Sequence, residues 1–163
     1  NYYPGGVSGE NAPKPMGNSD NYAFHTAFAP AFSSQFTKEE DLDAAAPYYN
    51  KMHAIWRRAA KYTLSGDFYP LTPFSKEPDT WYCLQFHDED KGEGVVSCIR
   101  NTKCPEESIT LSLRQIDKGA TYEFDDPEFG NSFTVSGKDL AKNGFTVTLP
   151  ARTGVYWFYK TKR

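Results

Sequence analysis

Gly66-Asp67-Phe68-Tyr69-Pro70-Leu71-Thr72-Pro73 divides this chain into two unlike halves. Before it the apolar residues recur at helical spacing; after it they alternate at the period of strands. Gly66 suits the left-handed conformation that closes a helix. Pro70 and Pro73 forbid helix continuation and favour extended backbone in the residues before them. Phe68, Tyr69, Leu71 and Phe74 give the stretch an apolar load that a Gly/Ser-rich or charged tether would lack. Residues 66–79 therefore read as a packed joint.

On the N-terminal side, Thr37-Lys38-Glu39-Glu40 has the form of a capping box, so a helix is expected to follow. Pro47 is expected to break it near Ala46 and to start it again. Tyr49, Met52, Trp56, Ala59 and Thr63 then mark one apolar face, with Lys51, Arg57, Arg58 and Lys61 off it. Tyr22 to Phe32 mixes small and aromatic residues with almost no charge and reads as a buried strand covered on both faces. Residues 1–21, rich in Gly, Pro, Asn and Ser, read as a loop.

On the C-terminal side, seven short strands are expected: Trp81–Phe86, Gly94–Arg100, Ser108–Arg114, Thr121–Phe124, Ser132–Val135, Phe145–Leu149 and Val155–Tyr159. Turn residues separate them, as at His87–Gly92, Asp117-Lys118-Gly119 and Asp125–Gly130. Most alternate with one face buried, which excludes a parallel sheet. Ser136–Leu140 adds a helical turn. The fold class is thus mainly β: an antiparallel β-sandwich over 80–163, preceded over 1–65 by a loop, a strand and a helix.

Composition narrows the function. The chain has 163 residues, a net charge of −3 and a pI near 5.6, which gives no electrostatic case for nucleic acid or an anionic membrane. No run of about 18 apolar residues is present, so no membrane-spanning helix is expected. The first residues, Asn1-Tyr2-Tyr3-Pro4, lack the basic region and apolar core of a signal peptide, and with no initiator Met they suggest a processed chain or a piece of a longer one. Cys83, Cys98 and Cys104 are odd in number and lack metal spacing, so neither a disulfide scaffold nor a zinc site is expected; Cys83 and Cys98 read as buried free thiols and Cys104 as a turn residue open to solvent.

Catalytic signals are sparse. Glu39-Glu40-Asp41 lies in a first helical turn, where negative charge opposes the dipole. Asp88-Glu89-Asp90 and Asp125-Asp126 fall in solvated turns. A glycosidase needs two carboxylates facing each other about 5 to 9.5 Å apart across a cleft, and the strand pattern creates none. His25, His53 and His87 lack partners at metal spacing. No catalytic residue, metal or cofactor is expected. For sugar contact, Tyr2, Tyr3 and Phe24 flank the Gly/Pro loop, and Trp81, Tyr156, Trp157 and Tyr159 are alternative platform residues; core packing is the plainer reading of each.

Three sets of residues nevertheless resemble a known family. The first is Tyr22-Ala-Phe-His-Thr-Ala-Phe-Ala-Pro-Ala-Phe32. The second is Trp56-Arg57-Arg58 followed by the Gly66–Thr72 joint. The third runs through the sheet region: Thr80-Trp81, Phe86, Gly92–Val96, Ile109-Thr110-Leu111, Gly119–Tyr122, Phe133–Gly137 and Leu149-Pro150. Together they look like the end of the catalytic barrel and the C-terminal β-sandwich of family 36-type α-galactosidases. The resemblance implies that residues 1–65 are the last βα remnant of a (β/α)8 barrel, with the sandwich as its buttress. It implies retaining hydrolysis of α-galactosides in the parent enzyme, by carboxylates that match no residue here. It also implies that Tyr2, Tyr3, Phe24 and His25 line a sugar pocket in that parent, since loops at that end of a barrel face the active site. A barrel cut to about 65 residues, where about 250 are needed, would expose apolar surface and self-associate through residues 20–65 or dock on the rest of the barrel.

Overall fold

The computed structural model describes residues 21–26 and 39–162. In chain order they form α1 (Asn21–Thr26), α2 (Glu39–Ser65), β1 (Asp67–Pro70), β2 (Trp81–Asp88), β3 (Glu93–Arg100), β4 (Ser108–Leu111), β5 (Thr121–Asp126), β6 (Asn131–Ser136), α3 (Gly137–Asn143), β7 (Phe145–Thr148) and β8 (Thr153–Thr161). Six strands make one antiparallel sheet in the order β1-β2-β3-β8-β5-β6, and β4 pairs with β7 in a second, two-stranded sheet. The mainly β, antiparallel fold class expected from the alternating pattern is what the structure has.

The large sheet is covered on both faces. On one, Trp81, Cys83, Val96, Cys98, Tyr122, Phe124, Val155 and Tyr159 pack against Leu111, Phe145, Val147 and Leu149 of the β4–β7 side. On the other, Val95, Tyr156 and Phe158 meet Phe24 of α1 and Met52, Ile55, Ala59 and Tyr62 of α2. Burying each large apolar side chain contributes about 1.5–3 kcal/mol, so the helical layer is a second core of comparable kind. This explains the two strand signatures. At the sheet's flank β2 alternates buried and half-buried, whereas central β3 is buried continuously from Gly94 to Arg100.

Several expectations are corrected. Asn21–Thr26 is a helix, where Asn21 was expected in a loop and Tyr22 onward in a strand. Phe24 and His25 are adjacent and both buried, at 4% and 1% exposure, which one face of an alternating strand does not provide. The continuation to Phe32, the loop over residues 1–20 and the cap at Thr37 lie outside the described residues. Pro47 does not break α2, which runs through it. Pro47 is on the exposed side, where a missing N–H costs one helical hydrogen bond while the next turns are held against the sheet. The buried face of α2 is centred on Met52, Ile55, Ala59 and Tyr62, with Trp56 and Thr63 half-buried at its flank.

The joint is itself a strand. Asp67–Pro70 pairs with Leu84–His87 as the edge of the large sheet. Gly66 does not take a left-handed conformation. It is needed for space, because a Cβ there would lie 2.7 Å from the Tyr62 carbonyl oxygen and 2.9 Å from that of His87. Pro70 fits because an edge strand has a side with no ladder to donate to. His87 belongs to β2 rather than to a polar turn and is buried, and Cys104 is buried too. β4 stops at Leu111, short of Arg114, whose backbone N–H and carbonyl are taken by the Gln85 side chain at 2.7 and 2.9 Å.

Candidate functional site

α1 lies across β8 and carries the two described members of the expected sugar-contact set, Phe24 and His25. The His25 side chain is fully buried, and its Nε2 donates to Glu128 Oε2 at 2.7 Å. Among the described residues its Nδ1 has no hydrogen-bond partner. The imidazole lies 4.4 Å from the Tyr156 ring, centroid to centroid, and edge-on to Phe24. It fits only because residue 154 is glycine: a Cβ there would sit 2.4 Å from His25 Cγ.

Asn21 fixes the same helix twice over. Its amide nitrogen donates to Glu128 Oε1 and to the Gly154 carbonyl oxygen at 3.0 Å, and its Oδ1 accepts from the Gly154 N–H at 2.7 Å. Lys51 Nζ of α2 donates to the Glu128 carbonyl oxygen at 2.6 Å. Glu128, in the β5–β6 turn, therefore gathers both helices onto the sheet. The sequence reading missed Glu128 and Asn21. No motif marks either, and only the turn at Asp125–Gly130 was legible.

Beside α1 is a cleft of about 440 Å³ between the helix, the 74–78 segment and strands β2 and β3. Tyr22, Tyr82, Phe74, Leu84 and Ser97 are among its walls. Tyr22 donates to Asn101 Oδ1 at 3.0 Å, and the Arg152 guanidinium lies 5.0 Å from its ring centre. Aromatic walls with neutral hydroxyl and amide groups suit a small polar molecule. Among the described lining residues the one carboxylate is that of Glu77, so the cleft has no opposed acid pair of the kind glycoside hydrolysis requires. No group of three or more His, Cys, Asp or Glu placed to hold a metal occurs among the described residues.

The other singled-out residues are structural. Trp81, Tyr156 and Tyr159 are buried and Trp157 half-buried, so they do not form a binding platform. Trp81 Nε1 donates to the Glu106 carbonyl oxygen at 3.0 Å. Burial pushes the Tyr156 and Tyr159 phenols up, Tyr156 well above the ordinary tyrosine value. Asp126, expected in a solvated turn, is buried and accepts from the N–H groups of Glu128 and Phe129 and from Asn131 Nδ2 at 2.9–3.0 Å. Its carboxylate organises the turn that presents Glu128. Asp125 pairs with Arg58 across the helix–sheet boundary. Tyr2 and Tyr3 lie outside the described residues.

The fold defines a class: a three-layer unit of helices, a six-stranded antiparallel sheet and a two-stranded ribbon. Solved structures with a similar fold include alpha-galactosidases. The GH36 alpha-galactosidase AgaB from Geobacillus stearothermophilus aligns at 21% identity and a TM-score of 0.52, over 78% of this chain and 16% of its own length. The alpha-galactosidase from Lactobacillus brevis aligns at 14% identity and a TM-score of 0.54, over 86% of this chain and 19% of its own. A variant of AgaA from G. stearothermophilus, solved in complex with stachyose, gives 20% identity and a TM-score of 0.53 over 78% and 17%. The chain thus spans under a fifth of the length of these enzymes. No family model and no curated protein matches it.

Proposed function

We propose that this chain is the non-catalytic C-terminal portion of an α-galactosidase-like glycoside hydrolase, with its sheets buttressing a catalytic barrel. In this reading α2 is the last barrel helix, and residues 1–65 are the last barrel unit. The observation that carries it is the fold shared with three such enzymes over 78–86% of this chain but only 16–19% of theirs. Among the described residues the cleft has a single carboxylate, Glu77, which supports placing retaining α-galactoside hydrolysis elsewhere in the parent. Tyr2, Tyr3, Phe24 and His25 then act by shaping the parent's sugar pocket; for Phe24 and His25, buried as they are, that means supporting its wall. Self-association through residues 20–65 and docking on the remaining barrel are the two partnerships this reading allows, and neither uses the apolar face of α2 from Met52 to Tyr62, which the sheet covers.

The test is hydrolysis of a chromogenic α-galactoside. The chain alone is expected to show no turnover, and a fusion to an upstream family 36-type barrel is expected to be active. Turnover by the chain alone at enzymatic rates overturns the reading. The cleft beside Tyr22 favours one alternative, a carbohydrate-binding module. Titrating the chain with raffinose while following aromatic fluorescence separates the two: saturation that Tyr22→Ala abolishes supports the module.

A further inference from the structure

Cys83 and Cys98 face each other across the β2–β3 ladder. Both are fully buried, and the neighbouring Cys83 thiol adds to the burial that pushes the Cys98 thiol up. The backbone shows which kind of cross-strand pair they form. In an extended strand a residue's N–H and C=O point to the same side. Cys83 N–H donates to Thr72 Oγ1 at 2.9 Å, and its carbonyl accepts from Leu71 N at 2.9 Å. Both partners lie on the β1 side. Nothing is left to bond toward β3, so Cys83 and Cys98 are a non-hydrogen-bonded pair. Such pairs bring the Cα atoms to about 4.5 Å, against about 5.5 Å for the hydrogen-bonded kind. Disulfides need Cα separations of about 4.4–6.8 Å and close Cβ atoms.

We propose that Cys83 and Cys98 are a disulfide-forming site, closing a cross-strand bond when the chain folds in the presence of a small-molecule disulfide. One thiolate attacks the oxidant's disulfide and releases one thiol; the second cysteine displaces the other. The S–S bond of the oxidant breaks, the Cys83–Cys98 bond forms, and the two protons and two electrons leave on two molecules of reduced thiol. The reaction belongs to folding rather than to the finished fold. In the core both sulfurs are shut off from solvent, and burial holds the Cys98 thiol protonated. Cys104 stands apart: its Sγ is turned to Glu106, 3.5 Å from the carboxylate and 3.7 Å from the carbonyl oxygen. A closed bond staples the β2–β3 hairpin of the large sheet and removes open conformations from the unfolded chain, so it raises the unfolding midpoint.

The experiment refolds the reduced, denatured chain in a buffer of oxidised and reduced glutathione, then alkylates and digests with trypsin. The three cysteines fall in separate peptides, Glu77–Lys91, Gly92–Arg100 and Cys104–Arg114. The expected result is a link between the first two, one alkylated thiol at Cys104, an intact mass lower by two hydrogen atoms, and a midpoint above that of chain refolded without the oxidant. Cys104→Ser is expected to give the same link. The proposal is overturned if all three thiols remain free, if the link includes the Cys104 peptide, or if linked chain lacks the near-UV dichroism of the folded protein.

Discussion

His87 is a titratable ring held in a place built for its neutral form. It is 2% exposed, with Nδ1 2.8 Å from Tyr159 Oη. That phenol oxygen already accepts from Gln85 Nε2 at 2.7 Å, so its own hydrogen is free for His87 Nδ1. With the phenol donating, Nδ1 accepts, which is the role a neutral ring fills. Burial lowers the His87 pKa, and the nearby carboxylates of Glu89, Asp67 and Asp88 pull the other way without cancelling it. The folded pKa therefore lies below the unfolded value near 6.5. The folded chain binds fewer protons than the unfolded one in that window. The stabilisation is complete above pH 6.5 and is lost as the pH falls below it toward the folded pKa. Urea midpoints measured from pH 7.5 down to 5 should fall more steeply for the natural chain than for His87→Asn, whose amide can accept where Nδ1 stood and does not titrate. Parallel slopes would remove His87 from the account.

At the scale of elements, the docking of α2 rests on side chains that the sequence placed off its apolar face. Arg58 stacks on the Phe158 ring, 3.9 Å from its centre, and forms a two-pronged pair with Asp125, one prong 2.7 Å long. Lys61 reaches Glu93 at 3.1 Å, and Lys51 reaches the Glu128 carbonyl. The Arg58 and Asp125 side chains are about 40% exposed, so their ion pair contributes little by itself. The stacking and the covered stem add to it. Arg58→Ala should cost about 1–2 kcal/mol, a fall in Tm of about 2–8 °C at this size. Arg58→Lys should recover less than half, since an ammonium supplies neither the fork nor the flat face. A full recovery in Tm would reduce the contact to charge alone. The seven strands of the C-terminal part and the strong helix were legible because turn residues bound each strand and the helix repeats its apolar residues every three to four positions. α1 was not, because its aromatic, β-favouring residues are overridden by the clamp from Asn21 to Gly154. Glu128 was invisible because its role depends on residues 77 to 107 positions away in the chain, and no local pattern encodes that.

The whole molecule tests whether the joint at residues 66–79 separates independent units. Its chemistry argues otherwise. Gly66 N–H bonds the Tyr62 carbonyl at 2.7 Å, closing the helix, while Leu71 N–H bonds Cys83 at 2.9 Å, closing the sheet. Helix end and sheet edge are thus joined within a few residues. More decisively, the face of the sheet under the helices carries Val95, Tyr156 and Phe158, each at most 1% exposed. A chain of residues 66–163 would present these side chains to water together with the ring of Phe86, an apolar patch of the kind that drives association. It is expected to bind a hydrophobic dye such as ANS, to sediment as oligomers and to melt without a sharp transition. The full chain should melt in one step followed alike by far-UV and near-UV dichroism. A soluble, monomeric and cooperatively melting 66–163 piece would show that the β layers hold themselves together and that the helical layer is only an attachment. Failure of that piece to fold would instead mean that the helices complete the fold, so the β layers and α2 form one structural unit.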